Sequence, residues 1–409
     1  MDRRRFLSVA GSGIVGGALA GCGSGGGGSG GEDVIKLVSS MPRTGSAKGQ
    51  TDTIVNGIRM AIDEYGGKIG NFKIEYLDAD DATAGSGSWT PELEAKNANE
   101  AVADTDVMAY LGPYNSGAAK ISMPICNDGG LLQVSPAVTW TGLTKKVEGG
   151  NPAEPTIYRP SKKLTFGRVC PADDTQGPLA ADFAKDILKA KTVYILDDKE
   201  LYGQGVAGLF ERRCKELGIV VLGRQSINVG QNEFKSLMTQ IKGQNPDLVY
   251  FGGTTQSKGG QIAKDMKNAD LTCPLLVPDG CYEIAFITSA GEENLKNCYV
   301  TMGGIDTSSL KEGPGAEFVK KYKEKFKNAP EAYAVYGYEA AKVVLEAIKK
   351  VNKKDREAIL KATLETKDFD KGALGKWGFD ENGDTTLQQL TISKIAGGKF
   401  EVVKTIDKK

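Results

Sequence analysis

The sequence predicts an α/β protein built as two doubly wound α/β lobes. Three observations carry that expectation. Short apolar runs suited to buried strands alternate with helical stretches in two successive series. An irregular segment over about 140–165, rich in Gly and Pro, stands between the series like a long loop or lid. The chain of 409 residues exceeds what one core usually organises.

In the first series, 34–38 is a strand and 51–64 a helix, with Ile54, Ile58, Ala61 and Ile62 on one face. Phe72, Ile74 and Tyr76 alternate as a strand. Pro91 opens a helix reaching about 104. The apolar run 107–111 is a buried strand, stopped by Gly112 and Pro113. Asn115 and Ser116 then stand where a helix N-cap belongs, because AAKISMPI can wind. A further strand at 131–134 ends at Ser135-Pro136. A small hydroxyl residue follows each of these two strands: Ser116 after the first, Thr139 after the second. A helix N-terminus beside a hydroxyl suits a small anion such as a carboxylate, although a capping Ser and a turn Thr would look the same.

The second series begins with a helix at 179–190 and a strand at 192–196 that ends in Asp197-Asp198. A helix at 205–217 is closed by Gly218. Then come a strand at 219–222, a helix at 233–242, and a strand at 248–251 closed by Gly252-Gly253. A helix at 258–268, a strand at 275–277 ending in Pro278-Asp279-Gly280, and a strand at 299–302 follow. Helices fill 315–327, 333–351 and 355–366. A hairpin of 387–395 and 400–406, turning at Gly397-Gly398, closes the chain. In such sheets small ligands bind beyond the carboxyl ends of the strands. Those ends carry Ser116, Thr139, the 197–202 loop, Thr254 and Asp279. Hydroxyls for an anion, a carboxylate for a cation and glycines for close approach suit a zwitterion.

Composition narrows the function. Basic and acidic side chains balance at 52 each, so nothing points to a nucleic acid. Histidine is absent, which removes Ser-His-Asp and Cys-His catalysis and most zinc sites. No GxSxG turn supplies another nucleophile, so no enzyme is expected. No cofactor or metal is expected either: the GxGxxG of Gly11, Gly13 and Gly16 follows no strand.

The N-terminus reads as targeting rather than fold. Arg3, Arg4 and Arg5 precede an apolar run to Gly21 that is too short to span a bilayer permanently. Arg3-Arg4-Arg5-Phe6-Leu7 resembles a twin-arginine export signal, and Leu19-Ala20-Gly21-Cys22 resembles a bacterial lipobox. Residues 1–21 are thus expected to be removed, and the Cys22 thiol to carry lipid. A Gly/Ser tether over 22–33 would leave an exported, periplasmic or cell-surface body anchored to a membrane.

From about residue 34 to 403 the chain resembles the branched-chain amino acid (Leu/Ile/Val) substrate-binding proteins of ABC importers, in lipoprotein form. The segments that carry this are LGPYNSG at 111–117, VSPAVT at 134–139, DDTQGPLAA at 173–181, LDDKELYGQGVA at 196–207, DLVYFGG at 247–253 and VPDG at 277–280. YGYEAAKVV at 336–344 and GFDENGD at 378–384 fit as well. The resemblance implies a type I periplasmic-binding fold with three hinge crossovers, near Arg168, Gly304 and Trp377. Lobe 1 is then 34–168 plus 304–376, and lobe 2 is 169–303 plus 377–409. It also implies a monomer that binds an amino acid by cleft closure and docks on ABC permease membrane subunits.

The implied roles fall on matching positions. Ser116 and Thr139 would hold the ligand carboxylate. The Ala137 carbonyl and Asp279 would take the ammonium, and Tyr202 would reach across the cleft. Thr254 stands where a tyrosine is common, Lys48 where an aromatic is common, and Asp279 where Glu is usual. Tyr114 and Trp140 could rebuild an apolar wall. These departures keep other ligands open: an amide, urea, or a polar or aromatic amino acid. A ligand-sensing module for a signalling partner would use the same pocket. Beyond Cys22 the remaining cysteines show no CxxC spacing. Cys273 and Cys298, each beginning one of two consecutive strands, are the candidates for a disulfide.

Overall fold

The computed structural model describes residues 33–408; the expected export segment, Cys22 and all but the last residue of the expected tether lie outside them. The first half of the body comprises β1 (Asp33–Met41), α1 (Lys48–Asp63), β2 (Lys68–Ile69), β3 (Phe72–Asp80), α2 (Pro91–Ala103), β4 (Val107–Leu111), α3 (Ser116–Asp128), β5 (Leu132–Ser135) and β6 (Phe166–Arg168). Its sheet runs β2-β3-β1-β4-β5-β6, parallel except for the short β2–β3 pair. Every residue of β4 is buried, as a parallel strand covered on both faces requires.

The second half adds α4 (Asp173–Asp186), β7 (Thr192–Asp197), α5 (Leu201–Glu216), β8 (Val220–Ser226), α6 (Lys235–Lys242), β9 (Leu248–Gly252), α7 (Gly259–Asn268), β10 (Leu275–Val277), α8 (Ile284–Ala290) and β11 (Cys298–Gly303). After α9 (Gly313–Phe326), α10 (Ala334–Val351) and α11 (Arg356–Leu364), the hairpin of β12 (Gln389–Ala396) and β13 (Lys399–Asp407) completes a seven-stranded sheet, β13-β12-β11-β10-β9-β7-β8. Gly397 and Gly398 turn the hairpin at φ of +59° and +68°, a conformation glycine adopts without strain.

The late helices return to the first lobe. α10 lies against α1 so closely that a Cβ on Gly57 would fall 2.1 Å from the Ala334 carbonyl oxygen. The architecture is thus two doubly wound lobes with three chain crossings. Two crossings lie near Arg168 and Gly304. The third lies beyond Asp384, not at Trp377. The Trp377 indole N–H donates to Glu339 on α10 at 3.0 Å, and its ring meets Phe369 and Phe379, so it is packed with the first lobe.

Other boundaries shift for local reasons. α4 begins at Asp173 rather than 179, because Asp173 and Asp174 fill its first turn and the helix accommodates Pro178. The segment after Thr139 is not a free lid. Leu143, Tyr158 and the carboxyl of Glu154 are buried within it, and Tyr158 donates to Glu154 at 2.7 Å. The Cys273–Cys298 bridge does not form: the six cysteines of the described residues are free thiols. The parallel register sets Leu275, not Cys273, opposite Cys298.

One pair of buried acids in the first lobe makes a stability prediction. Glu94 accepts hydrogen bonds from Ser40 at 2.6 Å and Tyr110 at 3.0 Å, whereas neither oxygen of Asp81 meets a donor. Burial, then the Glu94 charge, pushes the Asp81 carboxyl well above its ordinary value, and burial pushes Glu94 up to about 7. Because these folded-state values are raised, the stability they contribute is full in acid and is lost as pH rises through neutrality. Asp81→Asn supplies a permanent donor and should add about 1 kcal/mol at alkaline pH while flattening that slope. Urea midpoints on either side of neutrality check it; a variant no more stable than wild type under alkaline conditions refutes it.

Candidate functional site

In each lobe the strand order reverses about one strand pair, β1/β4 in the first sheet and β7/β9 in the second. Loops leaving such a switch point open a crevice at the carboxyl ends. The loop after β4 delivers Tyr114, Asn115 and Ser116, and the turn after β5 delivers Ala137 and Thr139. From the second lobe come Tyr202 at the start of α5, Thr254 after β9, and Asp279 after β10. The structure brings all of these, with Gly280 and Tyr333, around one small cavity of about 20 Å³.

Ser116 is almost fully buried. Its Oγ accepts from the Trp140 backbone N–H at 3.2 Å, which leaves the hydroxyl proton free to be donated into the cavity. It lies at the N-terminus of α3, whose first amides point the same way. Asp279 faces it from the other lobe. The Asp279 carboxylate accepts from the hydroxyls of Tyr202 and Tyr333 and from the Gln176 amide. All three donors are neutral. Burial pushes the Asp279 carboxyl up from its ordinary value, and those three hydrogen bonds pull against burial without cancelling it. Burial, then the Asp279 charge, holds the Tyr202 and Tyr333 hydroxyls well above the usual phenol range. A desolvated carboxylate with three neutral donors and no ion-pair partner is an incomplete site that a cation completes.

Gln176 holds the floor together. Its side-chain oxygen accepts from the Asp279 backbone N–H at 3.1 Å and from Thr301 at 2.8 Å. Its amide also reaches Asp173 at 3.2 Å, a carboxyl that burial and the Asp279 charge both raise. Tyr114 closes the first-lobe side: its hydroxyl donates to Gln50, and its ring stands edge-on to Tyr333 at 6.4 Å.

One candidate wall residue lies elsewhere, and Lys48 is a solvated surface charge. The Trp140 ring turns away from the cavity into a separate cluster with Leu143, Tyr158 and Leu209, and its indole N–H reaches Glu154 at 3.3 Å. Gly205 makes room for it; a Cβ there would lie 2.2 Å from the ring. Lys48 is exposed and pairs with Asp52 at 2.5 Å in the first turns of α1. Three contributors were not anticipated. Gln176 sits inside the quoted DDTQGPLAA segment, where a polar residue on an otherwise small, apolar helix face was the available signal. Tyr333, just ahead of α10, carries no local signal, because only the tertiary packing of α10 on α1 carries it from the first lobe to Asp279. Trp89 lies against Gly117 beside Ser116, where a Cβ would be 2.4 Å from the indole.

A second cavity of about 470 Å³ adjoins the first and shares Asn115, Ser116, Tyr202 and Thr254 with it. Its wall adds Trp89, Asp198 and Ser257.

Comparisons with known proteins agree with this geometry. The family described as periplasmic binding protein matches residues 34–399. A Leu/Ile/Val-binding protein of Rhizobium johnstonii, BraC3, is 29% identical over 364 residues, covering 88% of this chain and 91% of that protein. The crystal structure of the leucine-binding protein LivK from Thermotoga maritima superposes with a TM-score of 0.80 at 25% identity, over 91% of this chain and 99% of that one. The branched-chain amino acid transporter substrate-binding protein LivJ from Streptococcus pneumoniae, in complex with isoleucine, shares the fold with a TM-score of 0.79 at 22% identity, over 92% and 100%.

Proposed function

Because the chain belongs to the periplasmic binding protein family, whose members bind substrates rather than transform them, we propose that it is the extracytoplasmic amino-acid-binding component of an ABC importer. One observation carries the reading: the buried Asp279 carboxylate has only neutral donors and faces Ser116 and the α3 N-terminus across the cavity. An α-amino acid answers both ends. Its ammonium pairs with Asp279 and the Ala137 carbonyl, and its carboxylate takes the Ser116 and Thr139 hydroxyls with the α3 amides. Relatives that bind Leu, Ile and Val make branched-chain amino acids the first ligands to test.

The lobes would close over this ligand, with 34–168 moving against 169–303. Contacts that already span the cleft, such as Gln50 Nε2 to the Tyr282 carbonyl at 3.2 Å, belong to the closed form. The closed monomer then docks on a membrane permease. The test is a titration of refolded, ligand-free protein with Leu, Ile and Val, read by calorimetry and melting. A ligand at a hundred times its dissociation constant adds about 2.7 kcal/mol of stability. Binding of an amide or urea, with no amino acid bound, would sink the Asp279–ammonium pairing.

The body is held at a membrane by lipid on Cys22. No helix among the described residues is long and apolar enough to cross a bilayer, which leaves the anchor to the N-terminal segment. Cys22→Ser should move the protein from the membrane fraction to the soluble one on fractionation of the producing cells. A variant that stays with the membranes rules out lipidation at Cys22 as the anchor.

A further inference from the structure

The amino-acid reading above leaves the ligand side chain undefined, and the second cavity defines it. The inner cavity of about 20 Å³ holds little more than the charged head group. A side chain on a ligand seated there can extend past Ser116, Tyr202 and Thr254 into the adjoining space of about 470 Å³. An aliphatic binding compartment would be walled by apolar side chains. This one has aromatic faces from Trp89 and Tyr202, and its polar lining includes Asp198, Ser257 and, at the edge, Lys258.

The floor of this compartment is a directed hydrogen-bond chain. Ser257 Oγ donates to Asp198 Oδ2 at 2.6 Å, and the other oxygen of Asp198 accepts from the Glu200 backbone N–H at 3.0 Å. With its one proton spent on Asp198, Ser257 Oγ accepts from the Thr254 N–H at 2.7 Å and lies 3.0 Å from Thr254 Oγ1. The Thr254 proton therefore also runs inward, toward Ser257. Ser257 Oγ is thereby saturated, whereas Thr254 Oγ1, which accepts from the Ser257 N–H at 3.1 Å, keeps one lone pair, and the Asp198 carboxylate keeps its remaining ones, for the cavity. At the rim, one N–H of the Gln256 amide is committed to Glu283 at 3.0 Å, and the group presents its carbonyl oxygen as a further acceptor beside its second N–H. A site of acceptors is completed by a donor; an aliphatic group there would desolvate acceptors and return nothing.

We propose that Thr254, Ser257 and Asp198 form the specificity floor of the side-chain compartment, and that it selects α-amino acids whose side chains carry a hydrogen-bond donor, stacked on Trp89, over aliphatic ones. This rests on the amino-acid reading and concerns only the side-chain end of the ligand. The donor can be a neutral hydroxyl or carboxamide, or a cationic amine. Threonine, glutamine and lysine are the arms that separate these.

The experiment is calorimetric titration of the refolded full-length body with leucine, threonine, glutamine and lysine, repeated in Ser257→Ala and Asp198→Asn. At least one donor-bearing amino acid should bind wild type about tenfold or more tighter than leucine. In each variant that ratio should collapse to about threefold or less, and Ser257→Thr, which keeps the hydroxyl, should restore it. Melting curves identify a variant that fails to fold, and two chemically different substitutions keep the test open. Leucine binding tighter than all three donors overturns the inference and leaves the amino-acid reading intact. A donor preference that survives in both variants also overturns it. Wild type that binds none of the four overturns the amino-acid reading, and this inference with it.

Discussion

Asp279→Asn should abolish amino-acid binding while leaving the ligand-free protein folded and as stable as wild type or more so. The two halves of that expectation have one cause. Burial makes the ionised Asp279 costly in the ligand-free cleft, which is why its carboxyl titrates above the ordinary value. Asn keeps the shape and removes the charge. The Tyr202 and Tyr333 hydroxyls can rotate to accept from its amide, so the network closes without an ion. A bound ammonium would then be desolvated against a neutral amide. Truncating one partner of a buried charge pair costs about 2–5 kcal/mol, a loss of roughly 300-fold at the middle of that range. The same geometry fixes a pH dependence for wild type. Ligand ammonium needs Asp279 ionised, so affinity should hold at neutral pH and fall as acidification protonates the raised carboxyl. Titrations across that range check it; affinity that is flat in acid, or retained in Asp279→Asn, would place the ammonium elsewhere.

The largest loss of stability should come from Arg168→Met. Arg168 is wholly buried and is the centre of a cage. Its Nε pairs with Asp384 at 2.7 Å, one terminal nitrogen donates to the carbonyls of Val138 and Trp140 at 3.1 and 3.0 Å, and the other donates to the Thr144 hydroxyl. Burial alone would raise the Asp384 carboxyl. Arg168 and Lys145, the latter at 2.8 Å, overcome this and hold it below its ordinary value. Removing the guanidinium leaves a buried carboxylate with one partly exposed lysine and the Thr144 hydroxyl, and takes a donor from each of two carbonyls. Breaking such a pair from one side costs about 3–5 kcal/mol. Replacing both partners, Arg168→Met with Asp384→Leu, should recover part of it. Urea unfolding of the single and double variants reads this directly; a single variant within about 1 kcal/mol of wild type would mean that the cage contributes little.

Much of this was legible in the sequence. The period-two and period-3.6 apolar runs placed the strands and most helices, and the polar residues at their carboxyl ends marked the cavity. Ser116, Thr139, Tyr202, Thr254 and Asp279, named from the strand ends, and Ala137, named from the family resemblance, line one cavity. What stayed hidden depends on distances along the chain. Tyr333 reaches Asp279 only because α10 packs on α1. The Trp140 ring turns aside because Gly205, far away in sequence, leaves a hollow for it. The proposed disulfide failed on register, a property of strand pairing that cysteine spacing does not encode.

The three chain crossings do not run independently. Arg168 donates its backbone N–H to the Gly383 carbonyl at 2.9 Å and its side chain to Asp384. Gly304 donates its N–H to the Gln389 carbonyl at 2.8 Å, and its own carbonyl accepts from Thr391 at 2.7 Å. The first and second crossings are thus stitched to one stretch of the third. Three separate tethers would let the lobes rock, twist and splay. A single stitched band suppresses twist and splay and leaves one axis of rotation. Closure about that band would search an arc rather than a volume, so less of a ligand's binding energy would go to ordering the two halves.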